Sequence, residues 1–560
     1  MKIADPVRPA PLPLPLPEEV SPGQVHRATT RLVAHISGRT DDDGAIREQC
    51  ESRVLESALA LALLTRAGVD SPARDRLLAC LRGHQESPDE LDRVLASRAL
   101  AAAAGRRPDG DSALVATLAS GVLGAAPGFI STRRRLMVYA VLSVLGCPLP
   151  ADAELPGGGE VPTDPLHSWA AVQQASIVLI LAGALGVRNR ATEAALDTLL
   201  ATDPGGTVWE GYVLMHLLVL HALAGTPGHE ETVRRGITTL LRHQRPDGGF
   251  PFVLEMHNWC TSTGGLALHA AGADPALLRR MASTLAAQRG GATLRSLSRG
   301  EALTGGWSMS PLVAQNDVDD TSCALEFLQA VDPVAHAGTV REGVAALLAV
   351  QGADGGFPTY VGGASSEPCM TAAAVCALGP HPATAPQRGR ALAFLAGSQL
   401  ADGGFEPGWS RSRLHSLFRV RLAACTAGPD DLRTAAMAAR IERTVRETQN
   451  ADGGWGMQPG DPSDDISTAY GLITLCHADD PRPVGAALTW LLERQKADGG
   501  YDGPPDMVGP RPFAYHFPLL TDIPVLLALG HARARVPGLR GVLAGRGASL
   551  GPLSATTTSP

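Results

Sequence analysis

VRETQNADGGW (Val445–Trp455) holds in eleven residues the grammar of the second half of the chain: an apolar helix end, a glutamine, a short spacer, Asp-Gly-Gly and an aromatic. The same order recurs in LLRHQRPDGGF (240–250), LLAVQGADGGF (347–357), FLAGSQLADGGF (394–405) and WLLERQKADGGY (490–501). Gln351, Gln399, Gln449 and Gln495 follow one another at 48, 50 and 46 residues, the spacing of a repeat architecture. Gln244 lies 107 residues ahead of Gln351. That gap has room for one degenerate copy, LAAQRGG around Gln288, plus an insertion expected to contain a cluster of aspartates.

Asp-Gly-Gly is a helix stop and tight turn, because glycine reaches positive φ without a Cβ penalty and Asp folds back on its own backbone. The aromatic that follows is expected to cover the glutamine amide and tie the turn to its neighbour. Apolar helical stretches such as CMTAAAVCALG and DISTAYGLITLC come after each turn. Two helices per unit imply helical hairpins that stack and close into an α-barrel or curl as a solenoid. β-branched alternation is scarce, so the fold class is all-α. VLESALALALLTRAG, STRRRLMVYAVLSVLG and HSWAAVQQASIVLILAGALG carry the same texture into the first half with eroded punctuation. The expected organisation is a loose Pro-rich start at 1–27, a first α-barrel domain at 28–245, a second at 246–537, and a disordered tail at 538–560.

The 560 residues are 44% hydrophobic and 19% charged with a net charge of −8, which gives no electrostatic grip on nucleic acid. Lys2 and Lys496 are the only lysines and neither sits in a phosphate-binding loop, so arginine, histidine or backbone N–H groups must hold any phosphate. Nine isolated cysteines fit a reducing cytoplasm better than a disulfide framework or a structural zinc. The apolar runs read as buried helices too short to span a bilayer.

AQNDVDDTSCALEFLQAV sets Asp317, Asp319 and Asp320 within four positions just before an apolar stretch. One reading is a helix start, where acids suit the positive end of the dipole. The other is that crowding and burial keep one carboxyl protonated for chemistry.

Turn repeats together with an Asp-x-Asp-Asp cluster resemble the class II terpene cyclases, meaning squalene–hopene cyclases and bacterial copalyl-type diphosphate cyclases. The resemblance covers most of residues 28–535. HSWAAVQQASIVL is similar to the family's segment bearing a cavity tryptophan, here Trp169, and HNWCTSTGGLALHAAG to the one bearing Trp259. GGWSMSPLVAQNDVDDT resembles the strip leading to the acid motif and brings Trp307, Met309 and Asn316 near it. The family implies two (α/α) barrels in the βγ arrangement with the substrate cavity between them. It implies a middle aspartate, Asp319 here, that protonates a terminal C=C of an isoprenoid, with Asp317 and Asp320 raising its proton affinity.

One departure stands out. Squalene–hopene cyclases place a histidine partner for the acid after a segment that matches SSEPCMTAAAV, where this chain has alanines around Ala373. Asn316, a water or a remote group must tune the acid instead. Aromatic residues make up only 4% of the chain, which suits a short cascade with few cation positions to face. The expected substrate is therefore a linear prenyl diphosphate, geranylgeranyl diphosphate first and farnesyl diphosphate as the alternative, with squalene behind both. The diphosphate is retained, because RTDDDGAI, GPDDLRTA, PSDDISTA and HADDPRP all fail to complete the DDxxD of ionising cyclases.

Candidates to neutralise the diphosphate are Arg419, Arg421, Arg511, His516 and the run Arg133–Arg135. His257 and Asn258 could hold the water that takes the final proton, although a helix-capping role competes. Diphosphate-retaining relatives use Mg2+, which enters as the expected cofactor with its ligands unplaced. Two rivals remain open: a protein prenyltransferase β subunit, which needs a zinc site whose spacing is missing here, and a helical-repeat scaffold that binds a partner.

Overall fold

The computed structural model describes residues 20–106, 112–124, 131–150, 153, 167–290, 301–302, 305–428, 430–478, 480, 482–536 and 539. Most of the Pro-rich start and nearly all of the tail, both expected to be loose, lie outside the described residues.

The second half closes into a ring. Its inner helices are α11 (His257–Ala271), α13 (Val318–Val331), α15 (Pro368–Leu378), α17 (Arg413–Ala424), α19 (Asp465–Leu475) and α21 (Asp522–Arg535), each packed on the next, with α21 returning to α11. Outside them run α12 (Pro275–Ala287), α14 (Ala337–Ala349), α16 (Ala385–Ser398), α18 (Leu432–Glu447) and α20 (Arg482–Arg494). The sixth outer helix comes from the far end of the chain: α1 (Pro22–Ser37) packs on α20, α21 and α11. Ser21 starts it with a capping box to Gln24, so the helix begins inside the segment expected to be loose.

Between α1 and α11 lies the first-half bundle: α2 (Val54–Arg66), α3 (Pro72–Arg82), α4 (Glu90–Ala103), α5 (Ser112–Gly124), α6 (Ser131–Val144), α7 (Ser168–Leu185), α8 (Arg190–Leu200), α9 (Val213–Ala224) and α10 (Glu230–Leu241). There α2 packs on α4 and α9, and α7 on α6, α8 and α9. The first barrel is thus inserted into the second. Its helix α7 is long and apolar enough to cross a membrane, more than the sequence reading allowed, yet two thirds of it is buried among its neighbours.

The repeat residues close these rings in a uniform way. The glutamine side chain donates from its amide both to the turn's own glycine carbonyl and to the start of the neighbouring outer helix. Gln351 reaches Gly355 O and Gln387 O at 2.8 and 2.9 Å, and Gln449 reaches Gly453 O and Pro483 O at 2.7 and 3.0 Å. Gln495 ties the last repeat to Ala28 O of α1, and Gln244 ties its turn to Ala73 O of α3. The glutamine therefore bridges to the next outer helix itself. The Asp carboxylate accepts from the second glycine in every turn, at 2.9–3.0 Å. At Gly453, φ is +90° and a Cβ would stand 2.8 Å from the Ala486 carbonyl, so the turn requires glycine.

The aspartate cluster is not inside an insertion. The repeat around Gln288 resumes at Gly305-Gly306-Trp307, and Gly290 N–H donates to Gly306 O at 3.0 Å. The inserted residues fall within the turn, ahead of Trp307. Asp317 then occupies the slot that Asp464 fills in the Trp455 repeat, each pairing with the preceding tryptophan and capping the next inner helix.

Candidate active site between the barrels

Asp317 is the N-cap of α13, and its Oδ1 accepts the Asp320 N–H at 2.8 Å. The helix-start reading is therefore correct as local structure. Capping turns all three carboxyls toward one interdomain cavity, walled also by Trp169, Tyr212, Phe252, Trp259, Met309 and Tyr360. Met256, Met370, Trp409, Met507 and Tyr515 complete much of the rest, and the cavity volume is about 60 Å3. Aromatic contacts run almost without break around it, Trp409–Tyr360–Trp169–Tyr212–Phe252–Tyr515–Phe517–Trp259, with ring centroids 5.2–6.4 Å apart. The chain has few aromatics, but it concentrates them here.

The electrostatics of the three acids differ. Burial, with Asp317 and Asp319 beside it, pushes the Asp320 carboxyl well above the usual carboxylate range, and its Oδ1 has no hydrogen-bond partner. Burial also raises Asp317, to about 7, although the Asp320 side chain and backbone N–H bond it and oppose the rise. Asp319 is the most exposed of the three. Its Oδ1 meets Arg419 Nη2 at 3.2 Å and lies 3.9 Å from Cys323 Sγ. The charged group beside Asp319 is thus an arginine on α17, 100 residues away in the chain.

Several expected site residues have other partners. Trp307 is fully buried and outside the cavity wall: its indole N–H donates to Leu285 O at 2.8 Å and its backbone N–H to Thr321 Oγ1 at 3.0 Å. Trp455 makes the same pair of bonds to Val445 O and Thr468 Oγ1, which marks both as scaffold. Asn316 is buried behind the motif with its Oδ1 unpartnered, also off the cavity wall. Asn258 donates to Ser308 O at 2.9 Å, and His257 Nδ1 sits 3.0 Å from Glu255, so both brace the loop that carries Met309 rather than face the cavity.

The cations expected at the diphosphate are similarly engaged. Arg419 lies behind the acid. Arg421 pairs with Glu442 at 2.7 Å and bonds the His477 carbonyl. Arg511 pairs with Glu367 and stacks 4.3 Å over the Trp409 ring, so it sets one cavity wall. His516 stands near Glu51 and Asp502, away from the cavity. Arg134 is buried and donates to Gln173 at 2.8 Å. Among the described residues no three His, Cys, Asp or Glu side chains could hold a metal ion, so no protein-only site fits the expected Mg2+ and no step below runs through one.

Sequence reasoning missed Tyr212, Tyr360, Trp409, Tyr515, Glu326 and Glu210. Glu210 sits at φ +49°, a left-handed conformation that a non-glycine residue adopts only under constraint. It is buried next to Tyr212, accepting Ser168 Oγ at 3.0 Å, and desolvation raises its carboxyl to about 8. Between pH 4.5 and 8 the folded state then holds a proton that the unfolded chain has released, so stability falls as pH rises. Buried His216, His221 and His531, each lowered to about 4, act with the opposite sign below pH 6.5. The net expectation is a loss of stability from pH 6.5 to 8. Glu210→Gln should flatten that slope by up to about 1.4 kcal/mol per pH unit in denaturant titrations; an unchanged slope would mean Glu210 is ionised in the fold.

The Prenyltransferase alpha-alpha toroid domain family matches residues 208–508. A drimenyl diphosphate synthase of Streptomyces showdoensis is 38% identical over 527 residues, 91% of this chain and 95% of that protein. A drimenyl diphosphate synthase of Streptantibioticus cattleyicolor is 37% identical over 517 residues, 90% and 94% of the two chains. The structure of ent-copalyl diphosphate synthase from Streptomyces platensis superposes with a TM-score of 0.54 at 17% identity, over 92% of this chain and all of that one, a likeness of fold.

Proposed function

This chain belongs to the class II terpene cyclase family, and from that premise we propose that it cyclises a fifteen-carbon prenyl diphosphate, farnesyl diphosphate, to a bicyclic drimane-type product that keeps its diphosphate. The observation that carries the reading is the convergence of Asp317, Asp319 and Asp320 on an aromatic-walled cavity between two helical barrels. For chain length the support is the name shared by both curated relatives, which favours the fifteen-carbon alternative over the twenty-carbon substrate placed first from sequence.

Asp319 acts as the acid. Its O–H bond breaks as a C–H bond forms at the terminal alkene, leaving a tertiary cation. Two internal double bonds close rings in turn, and loss of a proton from the last cation restores a C=C, so product and substrate are isomers. Trp169, Tyr212, Trp259, Tyr360 and Trp409 offer π faces to the moving charge. A volume of about 60 Å3 is too small for a fifteen-carbon chain, and Met256, Met309, Met370 and Met507 are the pliable wall that gives way. Nine free thiols support a cytoplasmic setting.

The test is incubation with farnesyl and geranylgeranyl diphosphate, with and without Mg2+, followed by phosphatase treatment and mass spectrometry. A drimane-type alcohol from the fifteen-carbon substrate is expected, at a kcat/KM at least about tenfold above any twenty-carbon product, the discrimination a fitted apolar pocket supplies. Preferential conversion of geranylgeranyl diphosphate would return the assignment to the twenty-carbon reading.

A further inference from the structure

Behind the acid cluster the lumen of the second ring holds another cavity, of about 470 Å3, that the cyclisation does not use. Leu266, Phe418, Leu422 and Leu527 wall it, and Glu326 and Arg419 stand in that wall on the side of the acid. Glu326 lies seven residues after Asp319 on α13, two helical turns along the same face. The Arg419 guanidinium spans the interval: Nη2 is 3.2 Å from Asp319 Oδ1 and Nη1 is 3.5 Å from Glu326 Oε1. Glu326 and Arg419 are both buried.

One permanent cation therefore faces two carboxyls, and it and Glu326 are both buried. Arginine does not give up its proton, so a single carboxylate balances it, and a second ionised carboxylate would be a buried charge without a counter-ion. The three side chains together hold one proton between two carboxyls. We propose that Glu326 is a positioning residue for the acid: ionised, it claims the Arg419 charge and leaves Asp319 protonated; protonated, it cedes the guanidinium to Asp319 and disarms it.

Burial pushes the Glu326 carboxyl up to about 7, with Arg419 opposing, so both states are accessible near neutrality. The other groups around Glu326 are Cys323 on its own helix, Cys376 on α15, His269 on α11, His477 in the turn after α19, Cys425 at the end of α17, His531 and Arg535 on α21, and Arg388 on α16. Burial raises the Cys323 and Cys376 thiols and lowers all three imidazoles, so they stay neutral. Arg388 and Arg535 also line the cavity.

The inference rests on Asp319 as the acid, and its test separates the two. In the full-length enzyme, Glu326→Gln leaves Arg419 with Asp319 alone. The kcat should drop about tenfold or more, short of the loss expected on removing the general acid itself, with KM nearly unchanged. Removing the cation as well, in Glu326→Gln/Arg419→Gln, should recover at least about threefold of that loss, whereas two structural defects would add. A substrate-free readout accompanies this: the carboxylic-acid C=O infrared band that disappears in Asp319→Asn should be present in the wild type, absent in Glu326→Gln and restored in the double variant. If Glu326→Gln does not fold, Glu326→Asp, which draws the carboxylate back by one methylene, should weaken that band and kcat together. A band that persists when Glu326 is neutralised, or a double variant no better than the single one, overturns the inference. An inactive wild type with the infrared pattern intact would instead overturn the substrate assignment.

Discussion

Asp319→Asn should abolish product formation, a loss on the order of 10^3-fold or more, the upper range for removal of a general acid, while helix content and thermal midpoint stay near wild type. The three carboxyls are not equivalent. Asp317 is committed to the fold through its cap on α13, and asparagine at that position would cap as well. Asp320 and Asp317 interact directly and are pushed up by burial, so they hold a proton between them and keep negative potential from building at the motif. Asp319 forms an ion pair with a group on another helix, and it is the least buried of the three. Asp320→Asn keeps a neutral amide beside Asp317 and should cost no more than about a hundredfold, a tuning effect of two pKa units or less. The reverse ranking, with Asp320→Asn inactive and Asp319→Asn active, would move the donor to Asp320, whose unpartnered Oδ1 and strongly raised proton affinity make it the competitor.

The all-α class and the ring closure were legible because Gln, Asp-Gly-Gly and an aromatic recur at a fixed spacing, and each has a local reason to do so. Positive φ is demanded at the first glycine, the second is bonded by the Asp, and the glutamine bridges to the next outer helix. Those constraints are short-range, so they survive in sequence. The acid motif was legible for the same reason, since it occupies a repeat's own capping slot. What sequence could not carry was the third dimension of the lumen. Arg419 reads as a basic residue between apolar ones in LFRVRLA, open to a phosphate role. Only the ring geometry sets it between Asp319 and Glu326, 100 and 93 residues away. Glu326 in CALEFL looks like an ordinary helical acid until α13 turns its face into the lumen. The use of α1 as the sixth outer helix was hidden for a similar reason: the contact that joins it, Gln495 to Ala28, spans 467 residues. The aromatic belt was undercounted because composition averages over the chain, whereas the first turns of α7 and α11 and the loops before α9, α11, α15, α17 and α21 bring its members to one place.

Trp307→Ala should cost about 3–5 kcal/mol of stability, the range for truncating a buried tryptophan, and leave the identity of the product unchanged. Family resemblance had made this residue a cavity tryptophan. Its surroundings make it the counterpart of Trp455. Each indole N–H donates at 2.8 Å to the carbonyl of a helix-end residue, Leu285 or Val445, and each backbone N–H donates at 3.0 Å to a threonine one turn into the following inner helix. Each is also wedged against a glycine: an added Cβ would lie 3.1 Å from the Trp307 ring at Gly343 and 2.7 Å from the Trp455 ring at Gly471. Packed this tightly, neither site can collapse around an alanine, so both variants should shift the denaturation midpoint by similar amounts. The two should differ in activity, because the residue that Trp307 pairs with is Asp317, the first of the acid motif, whereas Trp455 pairs with Asp464 outside it. Trp307→Phe, which refills most of the volume but loses the bond to Leu285, should recover more than half of the stability and the wild-type product. A Trp307→Ala enzyme of normal stability that released a monocyclic or hydroxylated product would place the indole against the cation and restore the cavity role that the resemblance suggested.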